Sequence, residues 1–353
     1  MIETIQERKY SYISVSGGIM VKGVYNSVYN RRDWDAVLLE NKIILDDFIL
    51  ELKQKRRAAG TIRQYYNDMR IFFIYVYRHC ENKSILQLSR RELKSYSIWL
   101  TEECGVSAAR HNRLWSAMQS LYNYCDEDEE LHFSNDIARK IKGLQREPTR
   151  EIYFLSDEQI LRLENELINR KEYQLATLLM LAYDSAGRKN EIAQVLKYNF
   201  YDDSISHTNR VVGKRKKVFN LIYFEETKRC AKLWLEQRGD DDFDSLWVYE
   251  AYGEKRQANS NKIYRMFMEI RDIFTELSGK EMKFNVHSMR HSALQNMADG
   301  THYICVRKNL GKLDLTILKN IANHEKVDTT EGYLKDDKFT VINDVFGIKI
   351  ENN

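Results

Sequence analysis

Apolar positions recur at helical intervals along most of the chain. Ile44, Phe48, Ile49 and Leu52 share one face and run into Lys53, Lys55, Arg56 and Arg57. A basic last turn suits a helix C-terminus, where the macrodipole favours cations. Gly60 then predicts a break, and Thr61 an N-cap. Ile62, Tyr65, Met69, Phe72, Phe73 and Val76 trace a second stripe, with the spacing of an amphipathic helix. Ser89 and Glu92 form a capping-box pattern ahead of Leu93, Tyr96 and Leu100. Ser107 precedes a fourth stripe of Leu114, Ala117, Leu121 and Tyr124. These segments predict a compact helical domain over 35–145. Residues 1–34 have weak periodicity and are expected to form an arm or a poorly ordered extension.

The pattern lapses over 146–155. Gly143 to Arg150 is polar and charged and contains Pro148, as expected of a linker. Ser156 then starts a helix with Asp157 and Glu158 in its first turn. Leu175 to Ala186 is apolar throughout, the signature of a buried helix. Between 200 and 224 the period shortens. Asn209–Gly213 and Val218–Tyr223 flank Lys214, Arg215, Lys216 and Lys217, predicting a β-hairpin with a basic tip. Helical pattern resumes near Asn259, Phe284–Ala298 and Leu315–Asn323. A second, mostly helical domain is expected over 156–338, with a tail over 339–353. The tail carries Phe339, Ile342, Val345, Phe346 and Ile348, too apolar for a solvated end. The predicted fold class is mainly α with a small β-sheet.

Composition supports this and narrows the function. One Pro in 353 residues argues against a turn-rich β fold and for long helices. Hydrophobic residues at 43% are enough for sizeable cores and exclude a disordered chain. No run of eighteen apolar residues predicts a membrane span, and Met1–Tyr10 lacks the apolar stretch of a signal peptide. Five widely spaced Cys without a C-x-x-C pair fit a reducing cytoplasm better than disulfides or zinc. The net charge of +3 is small, so any nucleic-acid affinity must lie in how charge is distributed.

Polar residues that interrupt apolar helices mark candidate chemistry. Ser185-Ala186-Gly187-Arg188-Lys189-Asn190-Glu191 follows the buried-looking helix. His287-Ser288-Met289-Arg290-His291 opens another, with His287 and Arg290 one turn apart on a shared face. Asn323-His324 is followed nine residues later by Tyr333, after Thr329-Thr330. Each signal is weak alone. In their order, Arg188, a hairpin lysine, His287-x-x-Arg290, His324 and Tyr333 resemble the tyrosine recombinase (phage integrase) family. The resemblance extends to Leu155–Ile160 at the opening of that family's catalytic domain. It also covers Thr61-Ile62-Arg63-Gln64-Tyr65 and Arg110-His111-Asn112-Arg113-Leu114 in the two DNA-facing helices of its SAM-like core-binding domain. Ala186 and Asn323 stand where the family commonly has glycine.

The resemblance implies a site-specific recombinase or integrase of a phage or other mobile element. Such an enzyme cuts and rejoins DNA through a 3′-phosphotyrosine, with no metal and no cofactor. Tyr333 is implied as nucleophile, His287 as an aid in accepting its proton, and Lys214 as the acid that protonates the 5′-oxygen. Lys216 and Lys217 remain open for that last role. Glu191 is implied as a support. The implied chemistry suits these residue types. A tyrosine hydroxyl, pKa about 10, is a poor nucleophile at neutral pH, and the transition state gathers charge on non-bridging oxygens. Arg188 and Arg290 can present paired donors to them, and His324 is expected to add another. Asp126–Glu130 and Asp240–Asp244 are consecutive and read as solvated loops, because metal-dependent cleavage needs carboxylates converging from separate elements.

Double-stranded DNA is the expected partner. Lys53, Lys55, Arg56, Arg57, Arg63, Arg70, Arg110, Arg113, Lys216 and Lys217 are candidate contacts, mostly to phosphates. The two domains are expected to close around a duplex, and binding to weaken with salt. The resemblance further implies a homotetramer on a DNA synapse and possible accessory directionality or DNA-bending proteins. It leaves open whether the tail docks in cis or in trans. The competing reading is a DNA-binding transcriptional regulator that keeps the scaffold without strand transfer.

Overall fold

The computed structural model describes residues 23–134, 136–145, 153–324 and 329–330. The chain divides into two compact units, Met1–Arg150 and Glu151–Asn353, each with its own hydrophobic core.

The first unit is helical: α1 (Val24–Val28), α2 (Arg31–Ala36), α3 (Leu39–Gln54), α4 (Ala59–His79), α5 (Arg90–Glu102), α6 (Ala108–Glu127) and the short α7 (Asp136–Arg139). The α4 stripe supplies its centre. Met69, Phe72, Phe73 and Val76 are fully buried, and Phe72 packs 4.9 Å from Tyr96 of α5. Burying each such side chain is worth about 1.5–3 kcal/mol, so this one face accounts for much of the unit's cohesion. The Ser89–Glu92 capping box forms, and the Ser107 hydroxyl caps α6 through the Arg110 N–H.

Two expectations are corrected here. Gly60 does not break the chain and Thr61 is not the cap; α4 begins at Ala59 behind an extended Ala58. First-turn N–H groups have no intrahelical partner in any case, so glycine is tolerated there. Residues 23–34 pack as α1 and the start of α2 instead of hanging as an arm, with Val28 in the core. The reason is Arg70. Its guanidinium lies 4.4–5.0 Å from the rings of Tyr29, Trp34 and Tyr66 and donates to the Tyr25 hydroxyl at 2.9 Å. Arg70 therefore fastens the N-terminal helices through cation–π contacts and is not a free DNA contact.

In the second unit, α8 (Asp157–Asn169), α11 (Glu225–Arg238), α12 (Ser260–Ser278) and α13 (Val286–Asp299) surround α9 (Tyr173–Ser185). Leu178, Leu179, Met180 and Leu181 of α9 are all fully buried, as an all-round apolar helix requires. The unit also contains the short helices α10 (Lys189–Ile192), α14 (Tyr303–Arg307) and α15 (Leu315–Ile321). The expected hairpin is β1 (His207–Val212) and β2 (Val218–Ile222), antiparallel, with Val211 opposite Phe219 and Val212 opposite Val218. A second hairpin, β3 (Val248–Ala251) with β4 (Glu254–Gln257), went unpredicted. The Pro148 linker, Tyr333 and the 339–353 tail lie outside the described residues, as do the first 22 positions.

Candidate active site

The end of α9 sets the first cation. Ala186 closes the helix in the left-handed region at φ 47°, and the chain turns through Gly187 to Arg188. A Cβ on Gly187 would stand 2.9 Å from the Ser185 Oγ and 3.1 Å from Ile192, so this turn is too close for a side chain. Glu191 then holds Arg188 in place. Its buried carboxylate accepts the Arg188 backbone N–H at 2.8 Å and its Nη1 at 3.0 Å.

The second cation comes from α13. Asn285 caps this helix by accepting from the His287 and Ser288 N–H groups. The cap fixes the rotation of the first turn and sends His287 and Arg290 to one side. Arg290 is 1% exposed. Its Nη1 donates to the Ala186 carbonyl, and its Nη2 to the Ala322 carbonyl at 2.7 Å and to His324 Nε2. Burying a guanidinium is expensive unless its N–H groups are met; here two carbonyls and an imidazole meet three of them.

His324 is buried, and its Nδ1 lies 2.9 Å from the Thr330 hydroxyl. Burial, then the charges of Arg290, Arg188 and Lys217, push its pKa down to about 3. The ring is therefore neutral, with Nε2 accepting from Arg290 and Nδ1–H donating to Thr330. In this tautomer Nε2 is an acceptor. The expected donation to a phosphate oxygen requires the other tautomer. His287 is exposed, its ring 4.8 Å from that of His291. Desolvation, with the charges of His291, Arg290 and Arg188, lowers its pKa below the usual histidine value, which keeps it neutral and able to take a proton.

A cleft of about 440 Å³ joins these groups. It is lined by Arg188 ahead of α10, Lys189 and Asn190 from α10, Val212, Gly213 and Lys214 from the first hairpin, and His287 and Arg290 from α13. Of the hairpin lysines, Lys214 lines the cleft; Lys214, Lys216 and Lys217 are all exposed, and the charge of Lys217 is felt at His324. A 3-10 turn covers Lys214–Lys216, with Arg215 and Lys216 at φ near 60°. Lys189 and Asn190 also line the cleft and escaped the sequence reading, although both belong to the motif that carries Arg188.

The expected DNA contacts fall into two groups. Lys53, Lys55, Arg56, Arg57 and Arg63 are exposed around the α3–α4 turn, with Lys55 also donating to Glu51. Arg110 is mostly covered. Its Nη2 pairs at 2.6 Å with Asp68, itself 1% exposed, and the half-exposed Arg113 stands 3.9 Å from the same carboxylate. Asp68 was passed over because it borders the apolar stripe of α4 and nothing in the sequence names its partners. One loop expectation also needs correction: Asp241 is not solvated. It is held by Arg238, Lys197 and Lys255, and hydrogen bonds from Arg238, then Lys255 and the Phe243 N–H, keep its carboxyl far below the usual range.

Known proteins share this organisation. Residues 153–339 match the Phage integrase family, and residues 44–130 its N-terminal SAM-like domain. The SPbeta prophage-derived recombinase-like protein YomM of Bacillus subtilis (strain 168) is 24% identical over 84% of this chain and 87% of its own. The tyrosine recombinase XerS of Streptococcus uberis is 22% identical over 74% of this chain and 87% of its own. Among solved structures, lambda integrase residues 75–356, a dimer bound to a COC′ core site, aligns with a TM-score of 0.61. It is 13% identical, covering 88% of this chain and 98% of that one. The XerH site-specific recombinase, in a post-cleavage complex with palindromic difH, gives 0.60 at 16% identity, over 92% and 94%. A two-unit helical fold, a cleft with paired arginines and a hairpin lysine, and matches covering both units agree: the chain belongs to the phage integrase family of tyrosine recombinases.

Proposed function

We propose that the chain is a site-specific DNA recombinase or integrase of a phage or other mobile element, which breaks and rejoins double-stranded DNA through Tyr333. The observation that carries this reading is the convergence of Arg188, Lys214, His287 and Arg290 on one cleft, with His324 bonded to Arg290. These are the groups that phosphoryl transfer without an energy source requires. The two guanidiniums neutralise the charge that develops on the non-bridging oxygens. Donors aimed at such charge are each worth about 3–4 kcal/mol in a water-excluded site. His287, held neutral, assists removal of the Tyr333 proton as its oxygen attacks phosphorus. A 3′-phosphotyrosine forms while the bond to the 5′-oxygen breaks, and Lys214 protonates that oxygen. Rejoining runs the same steps backward.

The exposed cations around the α3–α4 turn, with Arg113, Lys216 and Lys217, would meet phosphates along the duplex. The protein would act in the cytoplasm, as a homotetramer on a synapse of two DNA sites, with accessory directionality or DNA-bending proteins setting the outcome. Lambda integrase and XerH, its structural neighbours, are bound to DNA in their crystals.

The cleft reading is tested on a nicked target duplex with a 5′-bridging sulfur at the scissile position. Lys214→Ala should cut the ordinary oxygen substrate at least a hundredfold more slowly and the sulfur substrate at nearly the wild-type rate, because a thiolate leaves without an acid. Lys216→Ala should cut both normally, and any loss in Lys217→Ala should be the same on both substrates. If Lys214→Ala cuts the oxygen substrate at the wild-type rate, the assignment of Lys214 is wrong. If the wild-type protein binds but never cuts, the chain is a regulator.

A further inference from the structure

We infer that Thr330 is a positioning residue that lets His324 change tautomer when the site takes up a phosphodiester. The inference rests on the reading of the cleft as a phosphoryl-transfer site. In the structure, His324 Nε2 accepts from Arg290 Nη2, and its Nδ1 lies 2.9 Å from the Thr330 Oγ1. His324 is 5% exposed and Thr330 fully buried. Water therefore has little access to either ring nitrogen.

A buried polar atom left unpaired is costly. Between Arg290 and Thr330, both nitrogens are satisfied only in the Nδ1–H form. A phosphate oxygen beside Arg290 reverses the demand. It draws the guanidinium N–H bonds to itself and offers Nε2 an acceptor instead of a donor. His324 then gains by carrying its proton on Nε2. The ring stays neutral throughout: one proton leaves Nδ1 and one arrives at Nε2, with no net uptake. Nδ1 becomes an acceptor and needs a donor.

A hydroxyl is the group that can serve both states, because it both donates and accepts and rotates freely. Thr330 accepts from Nδ1–H while Arg290 holds Nε2 and donates to Nδ1 once a phosphodiester is bound. A carbonyl could fill only the first role, and a backbone N–H only the second. Its place in the chain adds a consequence. Thr330 stands three residues before Tyr333, so the group that sets the His324 tautomer belongs to the segment that carries the nucleophile.

The test reads the tautomer directly. In full-length protein labelled with ¹⁵N-histidine, the His324 signals are assigned by their loss in His324→Asn. DNA-free wild type should show a protonated Nδ1. Tyr333→Phe bound to a target duplex, where cleavage is barred, should show a protonated Nε2. Thr330→Val keeps the shape and removes the hydroxyl. It should fail to make the change on DNA and should slow single-turnover cleavage about tenfold or more, with duplex affinity unchanged. Thr330→Ser should restore both. A protonated Nε2 in the DNA-free protein, no change on DNA binding, or a Thr330→Val enzyme as fast as wild type each overturns the inference. So does a Thr330→Ser enzyme as slow as the valine variant, since simple packing would explain the loss. The DNA-free spectrum needs no activity, so its outcome stands apart from whether the wild type cuts DNA.

Discussion

Ala186 and Asn323 both adopt left-handed backbone conformations, at φ 47° and 53°. They flank the Arg290 site: one carbonyl that Arg290 reaches belongs to Ala186, the other to Ala322. Their positions are where the related family commonly has glycine, and the geometry supplies the reason. An L-residue with a Cβ is strained there by about 1–2 kcal/mol, while asparagine is better tolerated. Ala186→Gly should therefore raise stability by about 1 kcal/mol in urea unfolding and leave cleavage intact, provided the Arg290 bond to residue 186 is kept. A destabilised Ala186→Gly protein would mean that the packing of the buried methyl outweighs the strain. At this scale the sequence was legible where chemistry is rare. Arginine, histidine and lysine in a fixed order pointed to the cleft. Asp68 was not legible, and Thr330 was marked only as part of the step before Tyr333, because a threonine and an aspartate acquire their roles from partners that folding brings to them.

Elements were readable where their pattern is strong. The α4 stripe, the Ser89–Glu92 capping box and the β1–β2 hairpin could all be placed from spacing alone. The β3–β4 hairpin could not. Glu250, Glu254, Lys255, Arg256 and Gln257 offer no alternation of apolar residues, and its turn is Tyr252-Gly253 instead of a common Asn-Gly or Asp-Gly pair. Tertiary pairing dominates between α4 and α6 as well. Asp68 of α4 accepts from Gln64 at 2.8 Å and from Arg110 of α6 at 2.6 Å. The pair clamps the two helices whose sequences resemble DNA-facing elements. Removing one partner of a buried pair strands the other charge, at a cost of about 3–5 kcal/mol. Arg110 keeps a fifth of its side chain exposed, so Asp68→Ala should fall near 3 kcal/mol. Arg113→Ala, at a half-exposed position, should change stability by less than about 1 kcal/mol. Chemical denaturation of both variants checks the contrast; equal losses would show that the Asp68–Arg110 pair is not what holds α4 to α6.

For the whole molecule, a net charge of +3 concealed a division of labour. Cations gather at the α3–α4 turn, on the β1–β2 tip and in the cleft. Several acids, including Asp68, Glu191 and Asp241, are spent holding arginines and lysines in place. Both units carry their own core, so each can present its own share of exposed positive charge. The account stands or falls on one covalent bond. The wild-type protein should be trapped on a nicked suicide duplex of its target, digested, and the modified peptide sequenced by mass spectrometry. The account predicts a nucleotide joined through its 3′-phosphate to Tyr333, and no adduct from Tyr333→Phe. An adduct on a different residue, or one that persists in Tyr333→Phe, would contradict it.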